Sequence, residues 1–124
     1  MEKVTGIGGV FFRAKDPGAL QGWYAEHLGV EPPPQTYEGP VWRQEAGPTV
    51  FAAFAESAEF FGSPGQRWSI NFRVGDLDAM VAQLRRAGIA VEVDPEVYPN
   101  GRFAALADPE GNPIQLWEYS SARP

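Results

Sequence analysis

The chain has 124 residues, 44% of them hydrophobic and 13% aromatic, so it is long and apolar enough to bury the core of one globular domain. Its formal net charge of −6 argues against nucleic acid or an anionic membrane as a partner. The absence of cysteine excludes disulfides, thiolate metal sites and a cysteine nucleophile. Because neither a secretory signal nor an apolar run long enough to span a bilayer is recognised, we expect a cytoplasmic protein.

The first half opens with a predicted strand at 9–16 and continues into a helix. Asp16 is a good N-cap and Pro17 suits the first helical position, where its missing N–H costs nothing. Gly29 suits a left-handed helix end. Between them, side chains at helical spacing predict one buried stripe, formed by Leu20, Trp23, Tyr24, His27 and Leu28.

Two further strands are predicted after this helix, at 40–44 and 49–55, with a turn between them. Module one therefore covers residues 1–61. A stretch rich in Gly, Ser and Pro, at about 57–66, is interpreted as the linker between the halves.

The second half repeats the organisation of the first. Residues 69–76 align with 9–16, and Asp76 caps a second helix whose apolar stripe ends before Gly88. Strands follow at 90–94, 102–107 and 113–119, so module two covers residues 67–120. Since neither module alone buries enough surface, we predict a single domain over 1–124, of the α+β class, built from two βαβββ modules.

A tight polar turn at 108–112 leads into an apolar strand that ends on the carboxylate of Glu118. An unpaired carboxylate in apolar surroundings is costly. Glu118 is therefore solvated, paired, protonated or bound to a metal.

Three sequence segments carry a family resemblance: Trp23-Tyr24-Ala25-Glu26-His27-Leu28-Gly29, Tyr98-Pro99-Asn100-Gly101-Arg102-Phe103, and Asp-Pro-Glu-Gly-Asn-Pro-Ile-Gln-Leu-Trp-Glu at 108–118. With them the chain resembles the vicinal oxygen chelate superfamily, which includes glyoxalase I, bleomycin-resistance proteins and extradiol dioxygenases. The resemblance implies paired curved mixed sheets around a cleft, a homodimer and, in many members, a divalent metal held by four strand positions.

At most of the metal-binding positions implied by the resemblance, this chain has residues that cannot coordinate a metal well. Gly9 and Ser69 stand where His is usual, and the strand at 49–55 offers only Glu56 just beyond its end. Glu118 alone is of the right type at the fourth position, so a divalent metal remains possible but is disfavoured. The one histidine, His27, is interpreted as a packing or hydrogen-bonding residue rather than a ligand.

Strand alternation and the resemblance give a set of candidate ligand-binding residues in the cleft. Each polar candidate also has an alternative role. Arg13 and Arg73 could pair with neighbouring carboxylates, and Asn71 could hydrogen-bond to the backbone of a neighbouring strand. Arg102 could cap a hairpin without contacting a ligand. In the last strand Glu118 shares a face with Ile114 and Leu116, which makes it a candidate general acid or base or, alternatively, a structural residue. The full candidate set is Phe11, Arg13, Ser69, Asn71, Arg73, Arg102 and Phe103, with Glu118 as the catalytic candidate.

Two functions are compatible with these residues. The first is a protein that binds a small organic molecule, cationic in view of the acidic chain, without a complete metal site. The alternative is a glyoxalase-type lyase or isomerase, or a dioxygenase-like enzyme, that uses Glu118 as metal ligand or general base. The apolar strand at 49–55 gives a physical motive for the expected homodimer, because an exposed apolar edge invites pairing.

Overall fold

A computed structural model describes residues 1–120. Four strands form one mixed sheet in the order β1-β4-β3-β2, in which β1 runs parallel to β4 and the other neighbours are antiparallel. The architecture is α+β, as the sequence predicts. In chain order the elements are α1 (Pro17–Leu28), β1 (Ile70–Arg73), α2 (Leu77–Arg86), β2 (Glu92–Val93), β3 (Gly101–Ala107) and β4 (Pro113–Tyr119).

Both helices begin and end where the sequence predicts. The Asp16 carboxylate accepts the Ala19 N–H at 3.1 Å and the Asp76 carboxylate accepts the Ala79 N–H at 3.0 Å, which satisfies first-turn donors that have no partner within the helix. Gly29 ends α1 with φ of 74°, a left-handed conformation that glycine adopts without strain. Within residues 1–120, neither helix is long and apolar enough to cross a membrane.

One hydrophobic cluster holds the two helices against a single face of the sheet. Because side chains alternate across a strand, every second residue of β1, β3 and β4 points to the opposite face, which we call the open face. The buried cluster consists of Leu20, Tyr24, Leu77, Val81, Leu84, Ala104, Leu106, Ile114 and Leu116. The open face carries Asn71, Arg73, Glu92, Phe103, Ala105, Gln115 and Trp117.

The structure differs from the prediction in the first half. The strands predicted at 9–16, 40–44 and 49–55 are not formed, and these segments have no strand partner within residues 1–120. A strand needs a hydrogen-bonded neighbour and a buried face. The helix that these segments would cover, α1, instead buries Leu20 and Tyr24 against the second half, and Phe11 and Phe51 remain 94% and 92% exposed.

The polar turn between β3 and β4 is organised around the buried carboxylate of Asp108. One oxygen, Oδ1, accepts the backbone N–H groups of Glu110 and Asn112 at 2.9 and 3.0 Å. The other, Oδ2, accepts the Asn112 side-chain amide and the Tyr24 hydroxyl, each at 2.7 Å. Asp108 therefore shapes its own turn and also holds α1.

The same turn makes a second connection to the start of α1. The Glu110 carboxylate accepts the N–H of Lys15 at 2.7 Å and that of Asp16 at 3.0 Å. A carboxylate next to a helix N-terminus is stabilised by the unpaired N–H groups and by the helix dipole. The family-like motif at 108–118 thus ties the first half of the chain to the second.

We expect Tyr24→Phe to change the response of stability to alkaline pH. Burial, followed by the hydrogen bond to Asp108, raises the pKa of the Tyr24 hydroxyl above its ordinary value of about 10. The wild type should therefore lose free energy of unfolding as the pH rises above about 10, because the unfolded state ionises first. Tyr24→Phe should lower the free energy of unfolding by about 1 kcal/mol at pH 7. Between pH 9 and 11 the free energy of unfolding of the variant should fall less than that of the wild type. Urea unfolding across that range measures both, and an identical alkaline loss in the variant would contradict the assignment.

Candidate functional site

Strand register places a row of three polar side chains and one alanine across the open face. Asn71 lies opposite Gln115, Gln115 opposite Ala105, and Ala105 opposite Glu92, so one row crosses all four strands. Directly opposed residues have Cβ atoms about 4.5–5.5 Å apart, close enough for their side chains to touch. We call these residues the polar row.

A second row, the aromatic row, lies beside the first. Phe103 is opposite Trp117, which in turn is opposite Arg73. The Phe103 and Trp117 rings are nearly parallel, at 6° with centroids 6.1 Å apart, and Tyr98 and Tyr119 pack edge-on against them. The Trp117 indole N–H donates to the Asn100 carbonyl at 2.9 Å, so this ring is fixed in place.

A cavity of about 340 Å³ lies where the two rows meet β2. The small side chain of Ala105 leaves space between the Glu92 carboxylate and the Gln115 amide, and Phe103 supplies an aromatic wall. The depression is open to solvent on one side and has both polar and apolar walls. The lining residues are Glu92, Val93, Asp94, Pro95, Phe103, Ala104, Ala105 and Gln115.

Three sequence-predicted candidates, Asn71, Arg73 and Phe103, lie on the open face. The Asn71 side-chain amide donates to the Gln115 Oε1 atom at 2.7 Å. Ser69 lies just before β1, and its hydroxyl donates to the Pro113 carbonyl at 3.4 Å. Their roles toward a ligand remain predictions.

Arg73 is bound to a loop of the first half rather than to a carboxylate. Its guanidinium donates to the Pro48 carbonyl at 2.6 Å, the Glu45 carbonyl at 2.7 Å and the Thr49 hydroxyl at 3.3 Å. A Cβ at Gly47 would lie 2.7 Å from Arg73 Nε, so a larger residue there would displace the Arg73 side chain. The alternative that Arg73 pairs with a neighbouring acidic residue is therefore not what the structure shows.

Glu118 and Arg102 lie on the helix-covered face, opposite each other in the β3–β4 pairing. Glu118 Oε1 accepts the Leu77 N–H at 2.7 Å, so this carboxylate caps the start of α2. Arg102 donates to Asp78 at 3.0 Å and holds the pKa of that carboxyl below its usual value. The shared face of Ile114 and Glu118 was predicted correctly, but it faces the helices and not the cleft.

Phe11 and Arg13 are not brought to the two rows. Phe11 lines a separate cavity of about 150 Å³ beside Pro17 and Leu20 of α1, and Arg13 is exposed. Both belong to the predicted first strand, which is not formed, so strand alternation cannot direct their side chains.

The described residues do not fit the metal that the resemblance implies. Within residues 1–120, no group of three or more His, Cys, Asp or Glu side chains lies close enough to hold a metal ion. Glu118 is committed to the α2 N-terminus, and His27 lies against Trp23 with ring centroids 5.5 Å apart. Residues 1–120 therefore offer no complete ligand set for a divalent metal.

Sequence reasoning missed Gln115 and Glu92 as site residues. The signal was present in β4, because the apolar residues Ile114 and Leu116 mark the buried face and place Gln115 between them on the other face. Glu92 gave no such signal, since it reaches the site only through the pairing of β2 with β3.

We expect Glu118→Ala to lower the free energy of unfolding by about 1 kcal/mol, the usual cost of losing a helix cap. Glu118→Gln should cost less, because its amide oxygen can still accept the Leu77 N–H. Urea denaturation of the two variants tests this. Equal stability of Glu118→Ala and wild type would show that the carboxylate does not serve α2.

Comparison with known proteins shows which family the chain is similar to. A family model described as a glyoxalase-like domain matches residues 9–117. The chain is 32% identical over 129 residues to the anthracycline biosynthesis protein DauV of Streptomyces sp. (strain C5), in a match that covers 98% of this chain. It spans 46% of the length of DauV, so less than half of that protein is represented.

Two solved structures illustrate the structural likeness. TnmS3, an antibiotic binding protein from Streptomyces sp. CB03234, has a TM-score of 0.54 and 28% identity, with 86% of this chain and 88% of TnmS3 covered. A structure from the mobile metagenome of V. Pseudocholerae has a TM-score of 0.63 over 98% of this chain and 99% of its own, at 16% identity. The second likeness concerns the fold alone.

Proposed function

The chain belongs to the glyoxalase-like domain family, within the vicinal oxygen chelate superfamily, and on that premise we propose that it binds a planar aromatic cation on the open face. One observation carries the proposal: an aromatic residue, Phe103, and two acidic residues, Glu92 and Asp94, line the same cavity. Binding there needs no complete metal site.

The aromatic part of the proposal rests on a fixed platform. Phe103 is half-buried and packs beside Trp117, which is 5% exposed and hydrogen-bonded to Asn100. A ring held in this way loses little freedom when a ligand stacks on it. Offset stacking on one aromatic side chain contributes about 0.5–1.5 kcal/mol beyond the area buried.

The charge part rests on the acidic rim of the cavity. Glu92 is exposed, whereas Asp94 is oriented by the Glu96 N–H at 3.0 Å and the Tyr98 hydroxyl at 2.9 Å. Two carboxylates beside a partly apolar wall attract a cation, and the net charge of −6 adds to the attraction over longer distances.

The relatives support a small-molecule ligand. DauV is described as an anthracycline biosynthesis protein and TnmS3 as an antibiotic binding protein. The alternative of a lyase, isomerase or dioxygenase-like enzyme depended on Glu118 in the cleft, and that carboxylate caps α2 instead. We therefore favour binding. A cytoplasmic location stays a prediction from the sequence.

We expect wild-type protein to bind the planar cation 9-aminoacridine and to quench its fluorescence. Phe103→Ala should weaken binding about tenfold, because a buried aromatic contact is lost, and Glu92→Gln about threefold. Glu31→Gln removes an equal charge from the exposed segment after α1 and serves as the matched control. Unchanged affinity in Phe103→Ala, or equal loss in Glu92→Gln and Glu31→Gln, would contradict the proposed site.

We further propose that the chain forms a homodimer through the exposed apolar residues of the first half. Phe51, 92% exposed, and Val50, 70% exposed, are supporting observations, since contiguous exposed apolar surface on a soluble protein usually marks an interface. Phe51→Glu should reduce the mass measured by light scattering from dimer to monomer. Val97→Glu, at another exposed apolar position, is the control and should leave the mass unchanged. A wild-type monomer would overturn the proposal.

A further inference from the structure

We infer that Asn71 and Gln115 together select the ligand, and that the ligand carries a hydrogen-bond donor beside a carbonyl acceptor on one edge of its ring system. A cyclic lactam is the simplest member of this class. The inference rests on the proposed function, because it requires an aromatic molecule on the open face.

The two amides form a pair that still has both kinds of hydrogen-bonding group to offer. The bond between Asn71 Nδ2 and Gln115 Oε1, 2.7 Å long, uses one donor and one acceptor. Asn71 Oδ1 then remains as an acceptor and the Gln115 NH₂ group as a donor. If both amides were rotated by half a turn, the roles would exchange, and one acceptor and one donor would again remain.

The pair is poorly explained by stability. Asn71 is exposed and Gln115 half-buried, so water can satisfy either amide when the bond between them is broken. An exposed hydrogen bond of this kind contributes little to folding, at most about 1 kcal/mol. The backbone of both residues is already paired in the β1–β4 ladder.

The position of the pair suits the edge of a stacked ring. Gln115 and Phe103 line the same cavity, and they are diagonal neighbours on the open face because Phe103 opposes Trp117, two residues beyond Gln115. Diagonal neighbours of a sheet lie about 7–8 Å apart, which is comparable to the width of a fused ring system. A ring on Phe103 that extends toward β1 therefore meets Gln115 first and then Asn71, which lies one strand beyond the residues that line the cavity. Glu92 lies at the opposite end of the polar row.

The test uses two probes that differ in one group: a phenanthridinone with an aminoalkyl side chain, whose lactam N–H and carbonyl share an edge, and its N-methyl analogue, which lacks the donor. We expect wild-type protein to prefer the N–H lactam by roughly fivefold to tenfold, the value of one hydrogen bond. Asn71→Leu should reduce the preference, since it removes Asn71 Oδ1 as an acceptor for the lactam N–H. Gln115→Leu should weaken the binding of both probes about equally, because the donor to the lactam carbonyl is lost.

Gln83→Leu, the same chemical change as Gln115→Leu on the exposed surface of α2, is the control and should keep wild-type affinities. Calorimetry with both probes and circular dichroism of each variant give affinity and fold. If wild type and Asn71→Leu discriminate equally, the inference is overturned. If wild type binds both lactams equally while Phe103→Ala weakens both, the inference fails and the proposed function stands. If wild type binds neither probe nor 9-aminoacridine, both fail.

Discussion

The structure depends most on the position of β4 between two neighbours. β4 pairs with β1 on one side and with β3 on the other, so its alternation fixes which side chains of three strands share a face. Ile114 and Leu116 are buried under the helices, and because side chains alternate along the strand, Gln115 and Trp117 lie on the open face. A shift of one residue in register would exchange the two faces and bury an amide in the core.

Much of the second half could be predicted from local sequence. Helix limits follow from Asp76 and Gly88, and the strand at 113–119 was predicted with its observed limits, because caps, left-handed glycines and period-two patterns act within a few residues. The strands predicted in the first half are not formed, and the reason is non-local. A strand at 49–55 needs a hydrogen-bonded neighbour from another part of the chain, and no pattern within 49–55 encodes that neighbour.

The candidate site shows the same division. Alternation within one strand is enough to place Asn71 and Phe103 on the open face, and their role toward a ligand stays a prediction. For Glu118, alternation identifies the face that the side chain shares with Ile114 and Leu116, but not the layer that covers that face. The N-terminus of α2 lies there, and its unpaired N–H groups provide the partner that the carboxylate required.

The hydrogen bond between Tyr24 and Asp108 also has a consequence for folding during synthesis. These residues are 84 positions apart, so on a ribosome α1 is made first and its anchor arrives roughly 4–17 s later at about 5–20 residues per second. The contacts of the β3–β4 hairpin are local and form in microseconds once the segment emerges. Until Asp108 has been made, the nascent chain therefore carries Leu20 and Tyr24 of α1 without the strands that cover them in the folded protein.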